Sequence, residues 1–169
     1  IPIEATALLP VPLLALSSGL DTGLITASYG HPMVFLYLGG FLVALGIERW
    51  NLHRRIALNI IWLIGTRPRQ ILLGFMLATA FLSMWISNTA TSLMMLPIGL
   101  AIVRQMVPEG QESQSSFAKA LMLAIAYSAS IGGMSTLIGT PPNAVFASVV
   151  QETLGQEIPF VTWMGFALP

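Results

Sequence analysis

Between Arg69 and Arg104 the chain runs for 34 residues without a charged side chain, and both ends of the run are basic. As one helix it would measure about 51 Å at 1.5 Å per residue, far beyond a hydrocarbon core of about 30 Å. Two full spans would need about 40 residues plus a turn. Basic flanks put both ends on the cytoplasmic side of a membrane. A re-entrant hairpin over residues 70–103 satisfies length and charge together, because each arm of about 16 residues reaches about 24 Å and stops short of the far side. The middle of the run is its most polar part, Ser83-Met84-Trp85-Ile86-Ser87-Asn88-Thr89-Ala90-Thr91-Ser92. The hairpin tip is therefore expected deep in the membrane, where irregular backbone is tolerated only if it is buried in protein or lines a cavity. Ser83 and Ser87 are four apart and share one helix face.

Composition agrees that lipid is the solvent. Hydrophobic residues make up 55% and charged residues 8%, with a mean hydropathy of +0.80. A soluble domain carries roughly 25% charge, so a soluble globular domain and a disordered chain are excluded. Seven basic residues balanced by seven acidic ones leave no net field for nucleic acid. The absence of Cys removes disulfides, thiolate metal sites and Cys nucleophiles together. The chain begins at Ile1 and ends on Pro169 inside an apolar segment, and reads as a piece of a longer membrane protein.

The charges set a topology. Arg49, Arg54, Arg55, Arg67 and Arg69 form one basic cluster, and Arg104 with Lys119 a second; both are expected on the cytoplasmic side. The loops holding Asp21, Glu152 and Glu157 read as external. Residues 5–20 and 22–47 are expected to span, and 158–169 to start a further span. Residues 50–66 mix Arg54 and Arg55 with Ile56, Leu58, Ile60 and Trp62, which suits an amphipathic helix in the cytoplasmic interface with Trp50 and Trp62 as anchors.

A second uncharged run of 32 residues lies between Lys119 and Glu152. Its flanks differ in sign, so the chain is expected to cross once, over residues 117–151. At its centre stands Ile131-Gly132-Gly133-Met134-Ser135-Thr136-Leu137-Ile138-Gly139-Thr140-Pro141-Pro142-Asn143. The two prolines remove amide donors and push Thr140 out of helical geometry. The expected result is a span broken at mid-depth, with exposed carbonyls. A polar hairpin tip beside an unwound helix is how secondary transporters build ion and substrate sites. Ser and Thr hydroxyls, the Asn88 amide and backbone carbonyls such as that of Gly139 suit a hard cation such as sodium. The helix start at Asn88-Thr89-Ala90 favours an anion. No Arg, Lys, Asp or Glu lies inside either run, which argues against a proton relay.

Ser87-Asn88-Thr89, with Gly139-Thr140-Pro141-Pro142-Asn143 about fifty residues further on, resembles the divalent anion/sodium symporter family. The stretch Glu48-Arg49-Trp50-Asn51-Leu52-His53-Arg54-Arg55-Ile56-Ala57-Leu58 is similar to that family's entry into its interfacial helix, and the likeness covers nearly the whole chain. It implies an all-α membrane protein of two inverted repeats, each with a re-entrant helical hairpin and a broken transmembrane helix. This chain carries one set and so resembles one repeat; the second, C-terminal repeat is missing. The resemblance further implies a homodimer working by an elevator-like motion, and sodium-coupled transport of di- or tricarboxylates such as succinate, or of another divalent anion. It implies a sodium site at Ser83, Ser87, Asn88 and the Gly139 carbonyl, and substrate contacts at Ser87, Asn88, Thr89, Thr140 and Pro141. The expected setting is a bacterial inner membrane, with lipid as a partner and no nucleic acid.

Plainer readings stand beside these. Small residues in apolar helices often only pack. Ser83 alone would read as packing, as do Thr91, Ser92, Ser128 and Ser130, while Thr136 is left open. His53 and Arg54-Arg55 read as interface residues. Met94-Met95 reads as core. Competing functions are a sodium-independent dicarboxylate exchanger or sulfate transporter of the same fold, an intramembrane enzyme and a channel. An enzyme would need a base or metal ligands beside the buried serines, and the runs hold none.

Overall fold

A computed structural model describes residues 2–18, 21–65, 67–108, 110 and 115–168, and the described residues are all helical or loop. They fall into two compact units, Ile1–Gly39 and Gly40–Pro169.

In the first unit, α1 (Ile3–Leu8) and α2 (Pro10–Ser18) are separated at Leu9. The helix α3 (Thr22–Tyr29) is capped by Asp21, whose carboxylate accepts from the Gly23 amide at 3.0 Å. Tyr29 donates its hydroxyl to the Ala7 carbonyl at 2.8 Å. The stretch 22–47, expected as one span, is divided between α3 and α4 (Pro32–Arg49). The reason is local: Gly30 closes α3, and His31 precedes a proline, which disfavours helical backbone there.

The second unit holds the end of α4 and six further helices. These are α5 (Leu52–Ile64), α6 (Pro68–Ser83), α7 (Asn88–Met106), α8 (Ser116–Met134), α9 (Pro141–Leu154) and α10 (Phe160–Ala167). The inward stripes keep helical spacing. On α7, Thr91, Met95, Gly99 and Val103 are buried at every fourth position. On α6 the stripe runs Ile71, Phe75, Ala78, Leu82, and on α8 Ala118, Leu121, Ile125, Ala129. The core joins these to Ala57 of α5. The outward faces are apolar as well: Leu77, Phe81, Leu93, Leu123, Tyr127 and Ile131 are all exposed. Helices apolar on every side suit burial or lipid, not water. Both α7 and α8, at 19 residues each, are long and apolar enough to cross a membrane.

The joints matter most for function. Residues 84–87 form a short turn between α6 and α7, and residues 135–140 interrupt the path from α8 to α9. Pro68 opens α6 at a position where no amide donor is needed. Pro141 and Pro142 open α9 in the same way.

Candidate functional site

The two joints lie against each other. Ser83, fully buried, ends α6. Its Oγ stands 2.6 Å from the Ala129 carbonyl of α8 and 2.9 Å from Asn88 Oδ1 at the start of α7. A serine hydroxyl has one proton and donates to one oxygen at a time. Three oxygens thus converge with a single hydroxyl proton to share among them.

Glycine makes this approach possible. A methyl group on Gly132 would fall 2.6 Å from Ala80 Cα, and one on Gly133 would fall 2.8 Å from Asn88 Cγ. A methyl on Gly139 would fall 2.9 Å from Gly133 Cα. Gly133 therefore borders both Asn88, where α7 begins, and Gly139, just before α9. Only a residue without Cβ lets the two joints close to this distance.

Thr136 pins them together. It is fully buried, donates Oγ1 to the Met84 carbonyl at 2.5 Å and accepts from the Gly139 amide at 3.0 Å. Asn143 reaches back from α9. Its Nδ2 lies 2.7 Å from the Thr136 carbonyl, 3.1 Å from that of Gly133 and 3.2 Å from that of Met134. The last carbonyls of a helix have no partner inside it, and the Asn143 amide serves those of α8. Trp163 of α10 donates Nε1 to the Met134 carbonyl at 3.0 Å. Trp163 also meets the Phe146 ring, at 5.9 Å between centroids, and Phe160 meets Trp85 of the α6–α7 turn at 6.4 Å. The exposed carbonyls expected at the break are, at Gly133, Met134 and Thr136, engaged by these donors.

Among the residues singled out from the sequence, Asn88 and Gly139 are brought against Gly133, and Ser83 joins them through its contact with Asn88. Ser87 is exposed and spends its hydroxyl on capping α7, accepting from the Ala90 amide at 3.3 Å. Thr89 and Pro141 are exposed, and Thr140 is half-buried as the N-cap residue of α9. Neither α7 nor α9 has an acidic residue in its first turn, so each presents an uncompensated positive end. The prolines of α9 leave that end fewer amide donors than α7 has. Thr136 and Asn143 are structural members of the site that the sequence alone did not assign. The signal for Asn143 is present in it: an amide in an apolar segment is costly without partners.

Interrupted helices that bring neutral oxygen donors together, in a chain apolar on all faces, define a class: the membrane transporters that hold ions and solutes at helix breaks. Comparison with known proteins narrows it. The family described as Citrate transporter (CitMHS) matches residues 1–169, and the chain belongs to that family. The chain is 49% identical to the sodium-dependent dicarboxylate transporter SdcS of Staphylococcus saprophyticus, over 100% of this chain and 34% of the relative. It is also 49% identical to SdcS of Staphylococcus aureus, again over 100% of this chain and 34% of the relative. The chain thus spans about a third of the length of these relatives. The resemblance to divalent anion/sodium symporters, drawn from Ser87-Asn88-Thr89 and Gly139-Thr140-Pro141-Pro142-Asn143, is borne out. The family is one of transporters, which sets aside the intramembrane enzyme.

Proposed function

We propose that this chain is part of a sodium-coupled secondary transporter for di- or tricarboxylates of the succinate kind. One observation carries the reading: the uncharged oxygen cluster of Ser83, Asn88 and the Ala129 carbonyl at the meeting point of two helix interruptions. Sodium, as a transported ion, is taken by this cluster together with the Gly139 carbonyl, with Ser87 lending its oxygen when its cap is released. The carboxylate lies at the positive start of α7, on Ser87, Asn88 and Thr89, with Thr140 and Pro141 on the α9 side. The names of the relatives support the ion and the substrate class.

The architecture proposed around the site is one of two inverted repeats in a homodimer, moving as an elevator in a bacterial inner membrane. Residues 70–103 form a re-entrant hairpin, since Arg67, Arg69 and Arg104 mark both outer ends as cytoplasmic. Residues 117–151 form a single broken crossing.

The test is uptake of labelled succinate into proteoliposomes by the full-length parent, with an inward sodium gradient and with potassium in its place. Uptake should need sodium and fall at least tenfold in Asn88→Ala, the equivalent of about 1.4 kcal/mol. Sodium-indifferent uptake stimulated by internal succinate would make it an exchanger and overturn the coupling. Uptake of sulfate but not succinate would overturn the substrate class.

A further inference from the structure

A second feature lies away from the joints, between α5 and α7. A cavity of about 410 Å³ has His53, Arg54 and Leu58 of α5 and Met94, Pro97 and Ile98 of α7 among its walls. His53 is only 9% exposed, and its Nδ1 is sealed from water without a hydrogen-bond partner. Among the described residues the His53 ring makes no hydrogen bond at all. With Nδ1 sealed and partnerless, the favoured tautomer holds its proton on Nε2, because a buried N–H without an acceptor is the rarer and costlier vacancy. The ring therefore brings one N–H donor to the cavity wall. Arg54 is exposed beside it, and among the described residues no carboxylate pairs with it. The other walls are aliphatic. On the same helix Trp62 is 82% exposed, and Trp50 just ahead of it is 77% exposed, as headgroup-level anchors should be.

From this we infer that the α5–α7 cavity binds an anionic phospholipid. The phosphate sits on the Arg54 guanidinium and the His53 N–H, and the first part of an acyl chain lies along Leu58, Met94 and Ile98. The chemistry selects the ligand. Arg offers a fork of donors suited to phosphate. A small free anion would leave the aliphatic walls unfilled, whereas an amphiphile covers both parts. Basic pockets at the cytoplasmic side of membrane helices are where such headgroups bind. The inference rests on the proposed interfacial placement of α5, not on the sodium or substrate assignments, so transport and lipid binding can fail separately.

The test is native mass spectrometry of the delipidated full-length parent, titrated with phosphatidylglycerol or with phosphatidylcholine of the same acyl chains. Phosphatidylglycerol should be retained in preference. Arg54→Gln should weaken its binding about fivefold, the effect of one basic residue near an anionic headgroup. Arg54→Lys should restore most of it, and His53→Phe, which removes the N–H donor to the phosphate, should weaken it. Equal retention of the two lipids, or an unchanged preference in Arg54→Gln, would overturn the inference. Displacement of phosphatidylglycerol by inorganic phosphate at equal concentration would also overturn it, in favour of a soluble anion.

Discussion

Gly132→Ala is expected to disable the proposed cation cluster of Ser83, Asn88 and the Ala129 carbonyl without altering any oxygen in it. The added methyl would stand 2.6 Å from Ala80 Cα and 2.7 Å from the Ala80 carbonyl carbon. Both belong to the α6 backbone and cannot swing aside. Carbon atoms rest at about 3.5–4.0 Å, so α6 and α8 must part by about 1 Å. Ser83 and Ala129 lie one turn away at the same crossing, and their 2.6 Å contact would open to about 3.6 Å, beyond hydrogen-bond range. Overpacking of this kind costs about 1–3 kcal/mol, and a buried hydroxyl left without its partner about 1–3 kcal/mol more. Gly133→Ala is the informative contrast. Its methyl would meet the Asn88 side chain, with Cγ at 2.8 Å, and that amide can rotate away. The helices then stay together while one oxygen of the cluster moves. Thermal unfolding of the full-length parent, with and without sodium, separates the two effects. Both variants should lose the stabilisation that sodium confers, and only Gly132→Ala should lower the sodium-free melting temperature markedly. A Gly132→Ala protein with unchanged melting and unchanged sodium response would refute the close crossing.

Three further outcomes are expected. Asn143→Leu keeps the bulk of the side chain but removes two N–H donors shared among three carbonyls, leaving those of Gly133 and Thr136 without this partner while Met134 keeps Trp163; stability should fall by about 2–4 kcal/mol, readable by chemical unfolding. Trp163→Phe keeps a ring against Phe146 but loses the bond to Met134, and should cost about 1 kcal/mol by the same measurement. Thr79 and Thr91 are buried with hydroxyls that have no partner among the described residues, so Thr79→Val and Thr91→Val should be neutral or slightly stabilising and should leave sodium-dependent uptake intact. A large loss of uptake in either would assign that hydroxyl a role in transport.

The joints are legible in the sequence because they are local. A polar stretch centred on residues 83–92 predicts a turn, and the turn falls at 84–87, where Ser87 caps α7. Pro141 and Pro142 likewise mark the start of α9. At 22–47 the run is uncharged throughout, and Gly30 and Pro32 divide it into two helices. The break is written in residue type, which a count of charges passes over. What the sequence could not display is pairing at a distance. Thr136 bonds a carbonyl 52 positions away, and Ser83 bonds one 46 positions away. Nothing in the spacing of either residue names its partner. The glycine pair Gly132-Gly133 looks like flexibility in sequence, and only the crossing shows it to be a need for space.

The neutrality of the site has a consequence for coupling on the proposed reading. A buried Arg would hold a dicarboxylate even without sodium, and a buried Asp would hold sodium even without the anion; either would be expensive to desolvate and slow to release. On that reading the partly negative oxygens of Ser83, Asn88 and Ala129 border the same small volume as the partly positive amino end of α7. These partial charges, about half an elementary charge at a helix end, are too weak to retain a lone ion against its hydration. Bound together, the two ions neutralise each other at short range, where the local dielectric is low and attraction is strong. Each then raises the affinity for the other, and that coupling is reciprocal by linkage. An added charge should weaken the coupling: Ser83→Asp would tighten sodium and, with its own negative charge already neutralising the ion, lower by one and the same factor the dependence of sodium binding on succinate and of succinate binding on sodium, which titration calorimetry with and without the other ion would read.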